Sequence, residues 1–270
     1  MNMTVRVTLF LAGILLLVFS ASGCKPVVNE FAFHPDTIHV VPSERLPDDI
    51  KEITIKSGDG VLLTSLYLPS PNSKKLLIYF HGNAGNIYHR IPDLRLINRS
   101  GINVIGVEYR GYGKSSGSPS EDGIYLDGEA ALKYAVENLG FSEGNIILFG
   151  RSIGTAVAVN TAQHRKLDGV ILVSPLTNAN DEAKAAGLGS VASLAGDAFD
   201  NLSKIDNIEA PLLVIHGTSD NVIPYSMGVE IFNRAKAKKY FVRIDGGNHN
   251  DLQNKFARQY WPPIISFIGR

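Results

Sequence analysis

Gly150-Arg151-Ser152-Ile153-Gly154 sets a hydroxyl between two glycines, just after the apolar run 146–149 and just before a stretch of small residues and helix formers. An apolar strand, a sharp turn and a helix with serine at the apex form the layout of a nucleophile elbow. Its glycines let strand and helix approach closely around a strained backbone. A plain glycine turn that holds a serine has the same letters, so the pentapeptide needs partners before it carries chemistry. A serine hydroxyl is a weak nucleophile at neutral pH and requires an adjacent general base. Imidazole suits that role because it titrates near the working pH, and a carboxylate must fix its tautomer and stabilise its charged form. The chain offers Ser152, then Asp220 at the end of His216-Gly217-Thr218-Ser219-Asp220, then His249 after Gly246-Gly247-Asn248. Serine, acid, histidine is the chain order that this elbow uses.

Each position has competitors. Of seven histidines, His34 and His39 precede the core and His89 and His164 fall on expected helices. His81 and His216 end apolar runs, but each is followed by glycine in a tight turn, where a histidine commonly packs or bonds to backbone. Asp220 could instead cap a helix that starts near Pro224. Asp245 and Asp251 lie too close to His249 in sequence to face it across a site. A metal site of His81, His216, Asp220 and His249 lacks any compact ligand spacing. The oxyanion formed on the substrate calls for fixed backbone N–H donors. Ile153, after the serine and at the positive end of a helix, should supply one. Asn83, in His81-Gly82-Asn83-Ala84-Gly85-Asn86, should supply the other, with Gly82 and Ala84 as neighbouring alternatives.

These residues need a frame that brings distant strand ends together. Five continuous apolar runs, 76–80, 104–107, 146–149, 170–173 and 212–215, and a weaker sixth, 240–244, alternate with helical patterns over 87–99, 123–138, 153–162, 227–235 and 251–268. Buried strands alternating with helices predict an α/β fold: a mostly parallel central sheet flanked by helices, with ligands at the carboxyl ends of the strands. Ser152, Asp220, His249, Ile153 and Asn83 each follow one of those runs. Residues 52–68 alternate around Ser57-Gly58-Asp59-Gly60 and predict an antiparallel hairpin at the sheet edge. Residues 176–210, rich in alanine, glycine and serine at their centre, predict a short lid over the site or one ordinary covering helix. No dinucleotide or phosphate-loop fingerprint follows the first buried run.

The 270 residues suit one large α/β domain, and 44% hydrophobic content supports a sizeable core. Lys and Arg number 26, as do Asp and Glu, and no basic stripe suggests nucleic acid. At the front, Arg6, the apolar run 9–19 and Ser20-Ala21-Ser22-Gly23 have the layout of an export signal, too short for the roughly 20 apolar residues of a membrane span. Residues 1–23 are therefore expected to be a signal peptide, 24–49 a linker and lead-in, and 50–270 the catalytic domain. Cys24 is the single cysteine, which excludes an internal disulfide.

Ala21-Ser22-Gly23-Cys24 resembles a bacterial lipoprotein signal, with alanine in the usual place of leucine; that resemblance implies lipid attachment at Cys24 and a tether to the membrane surface of the cell envelope, plain secretion being the alternative. Residues 81–86, Glu108-Tyr109-Arg110-Gly111-Tyr112-Gly113-Lys114-Ser115, 149–154, Ser174-Pro175, 216–220 and 246–251 together resemble the α/β-hydrolases, in the branch that carries serine aminopeptidase-like enzymes and protein depalmitoylases. The resemblance implies a serine hydrolase of ester or thioester bonds acting through an acyl-enzyme on a small or acylated substrate, as a monomer without cofactor or metal. Residues 110–115 are expected at the site rim without a catalytic role. A peptidase, for which Asp181 and Glu182 offer the only acidic clamp, and a binding protein without turnover are the alternatives.

Overall fold

A computed structural model describes residue 29 and residues 32–187 and 196–270. The expected export signal, Cys24 and the centre of the expected lid lie outside the described residues. The strands are β1 (His34–Pro35), β2 (Lys51–Lys56), β3 (Leu62–Leu68), β4 (Leu76–Phe80), β5 (Ala84–Gly85), β6 (Asn103–Val107), β7 (Ile146–Arg151), β8 (Gly169–Val173), β9 (Leu212–Gly217) and β10 (Lys239–Ile244). The helices are α1 (Ile91–Asn98), α2 (Glu121–Glu137), α3 (Gly154–Ala162), α4 (Ala179–Ala185), α5 (Tyr225–Arg234) and α6 (Ala257–Ile268).

Eight strands form one sheet in the order β10-β9-β8-β7-β4-β6-β3-β2. From β10 to β6 every pairing is parallel, while β3 pairs antiparallel with both β6 and β2. The five continuous apolar runs become β4, β6, β7, β8 and β9, each buried at every position. Full burial follows from helices on both faces, and side-chain alternation divides each strand between two cores. Ile78, Phe80, Leu148, Leu172 and Val214 face the core under α2, α3 and α5, whereas Leu77, Tyr79, Phe149, Ile171 and Ile215 face the one under α1 and α6. The expected edge hairpin is present, turned by Ser57 N–H to Val61 O at 2.8 Å with Gly60 at φ 92°.

Two helix starts differ from expectation. The pattern over 87–99 opens as a 3₁₀ turn, capped by Asn86 Oδ1, which accepts from Tyr88 N–H at 3.1 Å, and becomes α-helical at Ile91, with Pro92 in the first turn of α1. The pattern over 251–268 opens as turns, because Asp251 Oδ1 takes the Asn248 N–H at 2.7 Å and holds the chain back on itself before α6. The lead-in before residue 50 is more than a linker. Phe33 is buried edge-on against Phe199, and β1 pairs in parallel with β5 in the loop after β4. In the expected lid, Asn178 caps the short α4, and the segment returns through Phe199, whose N–H meets Glu121 Oε1 at 2.6 Å.

Candidate active site

β7 delivers Ser152 to the carboxyl edge of the sheet in a left-handed conformation, φ 55°, that a non-glycine residue uncommonly adopts. The elbow is held by Ser152 N–H to Val173 O at 2.9 Å and Thr155 N–H to Ser152 O at 2.9 Å. Its glycines are demanded by proximity. A Cβ on Gly150 would lie 2.4 Å from Gly154 O, and one on Gly154 would lie 2.3 Å from Phe80 O.

The loops after β9 and β10 bring the other two residues to this edge. His249 Nε2 lies 3.1 Å from Ser152 Oγ, and His249 Nδ1 lies 2.9 Å and 3.1 Å from the two oxygens of Asp220. Ser152 and His249 are buried, as is the Asp220 side chain. Burial pushes the Asp220 carboxyl up, but hydrogen bonds from His216 and His249, the charge of His249 and the Ile223 N–H outweigh it and hold the group well below the usual carboxylate range. An ionised carboxylate only accepts, so Nδ1 of His249 carries a proton, and in the neutral ring the Nε2 lone pair faces the serine. Asp220 also accepts from Val222 N–H at 3.0 Å and Ile223 N–H at 2.8 Å, so it caps the turn before α5 and fixes the histidine at once.

The histidine competitors turn elsewhere. His216 Nε2 donates to Ile223 O at 3.0 Å with Asp220 behind it at 3.4 Å. His81 is wholly buried and pairs with Glu108 at 3.0 Å. Among the described residues no group of three or more His, Cys, Asp or Glu gathers as metal ligands.

The loop His81-Gly82-Asn83 lies against the elbow: a Cβ on Gly82 would be 3.4 Å from Ser152 Cβ. Tyr109 Oη donates to His81 O at 2.9 Å, Tyr112 Oη to Asn83 O at 2.7 Å, and His34 N–H to Asn83 O at 3.0 Å. Among the described residues, the N–H groups of Asn83 and Ile153 have no backbone acceptor. They stay available to a ligand, Ile153 at the amino end of α3.

Two features of the site carry no sequence signal of their own. Arg151, the variable letter of the elbow, is buried and donates to His249 O at 2.7 Å and Asn250 Oδ1 at 3.0 Å, tying the histidine loop to the elbow. Residues 110–115 pack beside the loop after β4, where Tyr112 meets Asn83. Arg110 is buried there against Asp127, donating to its carboxylate at 2.8 Å and 3.0 Å, and also meets Asp59.

Residues 71–204 match the family described as serine aminopeptidase, S33. Alpha/beta hydrolase domain-containing protein 17B of Homo sapiens is 34% identical over 230 residues, 84% of this chain and 78% of that protein. Alpha/beta hydrolase domain-containing protein 17C of Xenopus laevis is 33% identical over 229 residues, 84% and 72% respectively. Among solved structures, an esterase of Pyrococcus furiosus superposes with a TM-score of 0.74 at 21% identity, covering 88% of this chain and 98% of that one. A monoacylglycerol lipase of Paleococcus ferrophilus superposes with a TM-score of 0.61 at 20% identity, covering 76% and 98%.

Proposed function

This chain belongs to the alpha/beta hydrolase domain-containing protein 17 family and is a serine hydrolase of ester or thioester bonds; we propose that Ser152 is its nucleophile, His249 its general base, Asp220 the acid that orients His249, and Asn83 and Ile153 its oxyanion donors. The observation that carries the assignment is the 3.1 Å contact of His249 Nε2 with Ser152 Oγ while Nδ1 is committed to Asp220. His249 takes the Ser152 proton as Oγ adds to the substrate carbonyl, and the resulting oxyanion meets the two free N–H groups. The imidazolium, stabilised by Asp220, then gives its proton to the departing alcohol or thiol, leaving an acyl-serine. Water, deprotonated by His249, adds to that acyl group, and the collapse returns the proton to Ser152 and releases the acid. The test is labelling by an active-site fluorophosphonate, together with turnover of a short-chain p-nitrophenyl ester. Both vanish in Ser152→Ala if the assignment holds; equal labelling before and after the substitution refutes it.

Of the two acidic side chains that an aminopeptidase could use for a substrate amine, one is engaged and the other is held toward its neutral form. Asp181 accepts from Thr177 Oγ1 at 3.0 Å and Asn178 Nδ2 at 2.7 Å, and burial followed by the Asp220 charge pushes Glu182 up to about 7. Esters and thioesters, whose recognition needs no cation clamp, fit this edge better.

We further propose that residues 1–23 form an export signal, that 50–270 are the catalytic unit with 176–210 as its lid, and that Cys24 carries a lipid that holds the enzyme at an envelope membrane. Among the described residues no helix is long and apolar enough to cross a membrane. His34 is already bonded to Asn83, and ten residues span at most about 35 Å. A lipid at Cys24 would therefore keep the site close to the bilayer and favour acylated substrates presented there. Metabolic labelling with a fatty-acid probe, retained by the wild type and absent from Cys24→Ser, is the result expected. Labelling that survives the substitution refutes it.

A further inference from the structure

We propose that His81 and Glu108 form a positioning pair that aims the oxyanion donor, acting through the Gly82–Asn83 peptide; the inference rests on the assignment of Asn83 and Ser152 above.

His81 Nδ1 lies 2.6 Å from Gly82 O, and His81 Nε2 lies 3.0 Å from Glu108 Oε1, with both side chains entirely buried. A peptide carbonyl only accepts, so Nδ1 must carry a proton. The second nitrogen faces a carboxyl whose other oxygen accepts the Ile87 N–H at 2.9 Å. One more proton shared between Nε2 and Oε1 completes the set, and Glu108 thereby keeps His81 in the form that donates to Gly82. The glutamate has a prepared seat. Gly113, at φ 51°, leaves the space that a Cβ would take at 2.3 Å from Glu108 Oε2. The imidazole is packed by the rings of Tyr109 and Tyr112, with centroids at 4.4 Å and 5.4 Å.

The consequence follows from peptide geometry. The Gly82 carbonyl and the Asn83 N–H belong to one planar trans unit, so they point in opposite directions. Gripping the carbonyl from behind fixes where the N–H points in front, and a hydrogen bond accepted at the oxygen strengthens the same amide as a donor. The neighbouring carbonyls are held as well, His81 O by Tyr109 and Asn83 O by Tyr112. Three successive peptides of the loop thus have their oxygens tied back to side chains, and the middle one carries the donor.

Two polar substitutions of similar size separate aiming from mere packing. His81→Asn places an amide nitrogen where Nδ1 stood and can still donate to Gly82 O. His81→Gln reaches the place of Nε2, so it keeps Glu108 and loses Gly82. Loss of one oxyanion donor costs about 10²–10³ in kcat. We expect His81→Gln to lose roughly 10- to 100-fold in kcat/KM on a p-nitrophenyl ester, with a parallel loss of affinity for a trifluoromethyl ketone that forms a tetrahedral adduct. His81→Asn should stay within about fivefold of wild type, and product-acid affinity should stay constant in both. Thermal melts accompany the rates. A loss that follows Tm, or a His81→Gln enzyme as active as His81→Asn, overturns the inference. Turnover that survives Ser152→Ala overturns instead the assignment beneath it.

Discussion

Gly154→Ala tests whether the close approach of helix and strand is what assembles the site. The new Cβ would sit 2.3 Å from Phe80 O and 2.6 Å from His81 O, both backbone atoms where β4 enters the oxyanion loop. Real side chains essentially never come within 3.0 Å, so the first turn of α3 must retreat by about 0.7 Å or more. It cannot retreat freely, because Ser152 N–H is bonded to Val173 O and Thr155 N–H to Ser152 O, both at 2.9 Å. Overpacking of this kind costs about 1–3 kcal/mol, and for a domain of this size each kcal/mol lowers Tm by about 2–4 °C. The displacement also separates the Ile153 N–H, which rides on α3, from the Asn83 N–H, which rides on the loop. A misplacement approaching 1 Å at reacting groups costs about 10²-fold in rate. The assay pairs initial rates on a short-chain p-nitrophenyl ester with thermal melts. Gly58→Ala is the control, since nothing lies within 4 Å of its added methyl. Turnover of Gly154→Ala within about threefold of wild type, at an unchanged Tm, refutes the reasoning.

Three other outcomes are expected. Asp220→Asn leaves the fold recognisable by circular dichroism but lowers kcat by about 10³–10⁴-fold, because the imidazolium loses its stabilising charge and the wrong tautomer is favoured. Arg110→Met strands the buried Asp127, whose carboxyl burial already pushes up, and should destabilise the protein by about 3–5 kcal/mol in denaturant titrations. Glu182, raised from 4.5 to about 7 in the folded protein, holds its proton more tightly when folded than when unfolded, so stability falls as pH rises from 4.5 to 7 and is level above. Glu182→Gln removes that slope and gains on the order of 2 kcal/mol at pH 8, after allowance for solvent screening, with no gain at pH 4, as read from Tm across pH.

The parts of this site that the sequence announced are those governed by position along a strand. Ser152, Asp220 and His249 each follow an apolar run, and parallel strands deliver their carboxyl ends to one edge whatever lies between them. His216, the residue before the last of β9, spends its Nε2 proton on Ile223 O in the loop that follows. What stayed hidden depends on contacts between distant residues. Arg151 reaches a carbonyl 98 positions away, and the variable letter of an elbow says nothing about that. Glu108 and His81 are 27 apart, each just past the end of one of two neighbouring strands, and only the register of those strands sets them face to face. The lead-in around His34 looked like linker because a two-residue strand is too short to show a period. Helix starts at residues 91 and 257 shifted because proline and aspartate chemistry governs ends, while periodicity governs only faces.

That two-residue strand should give the enzyme two separate thresholds of heat. β1 meets the loop through His34 N–H to Asn83 O and Asp36 N–H to Gly85 O, both at 3.0 Å. A ladder this short opens locally at a small fraction of the free energy needed to open an eight-stranded sheet. Each opening leaves Tyr112 alone on Asn83 O, so warming loosens the catalytic loop while the scaffold stays whole. Inactivation should therefore precede melting, with amide exchange at His34 following the first event and exchange in β7 the second.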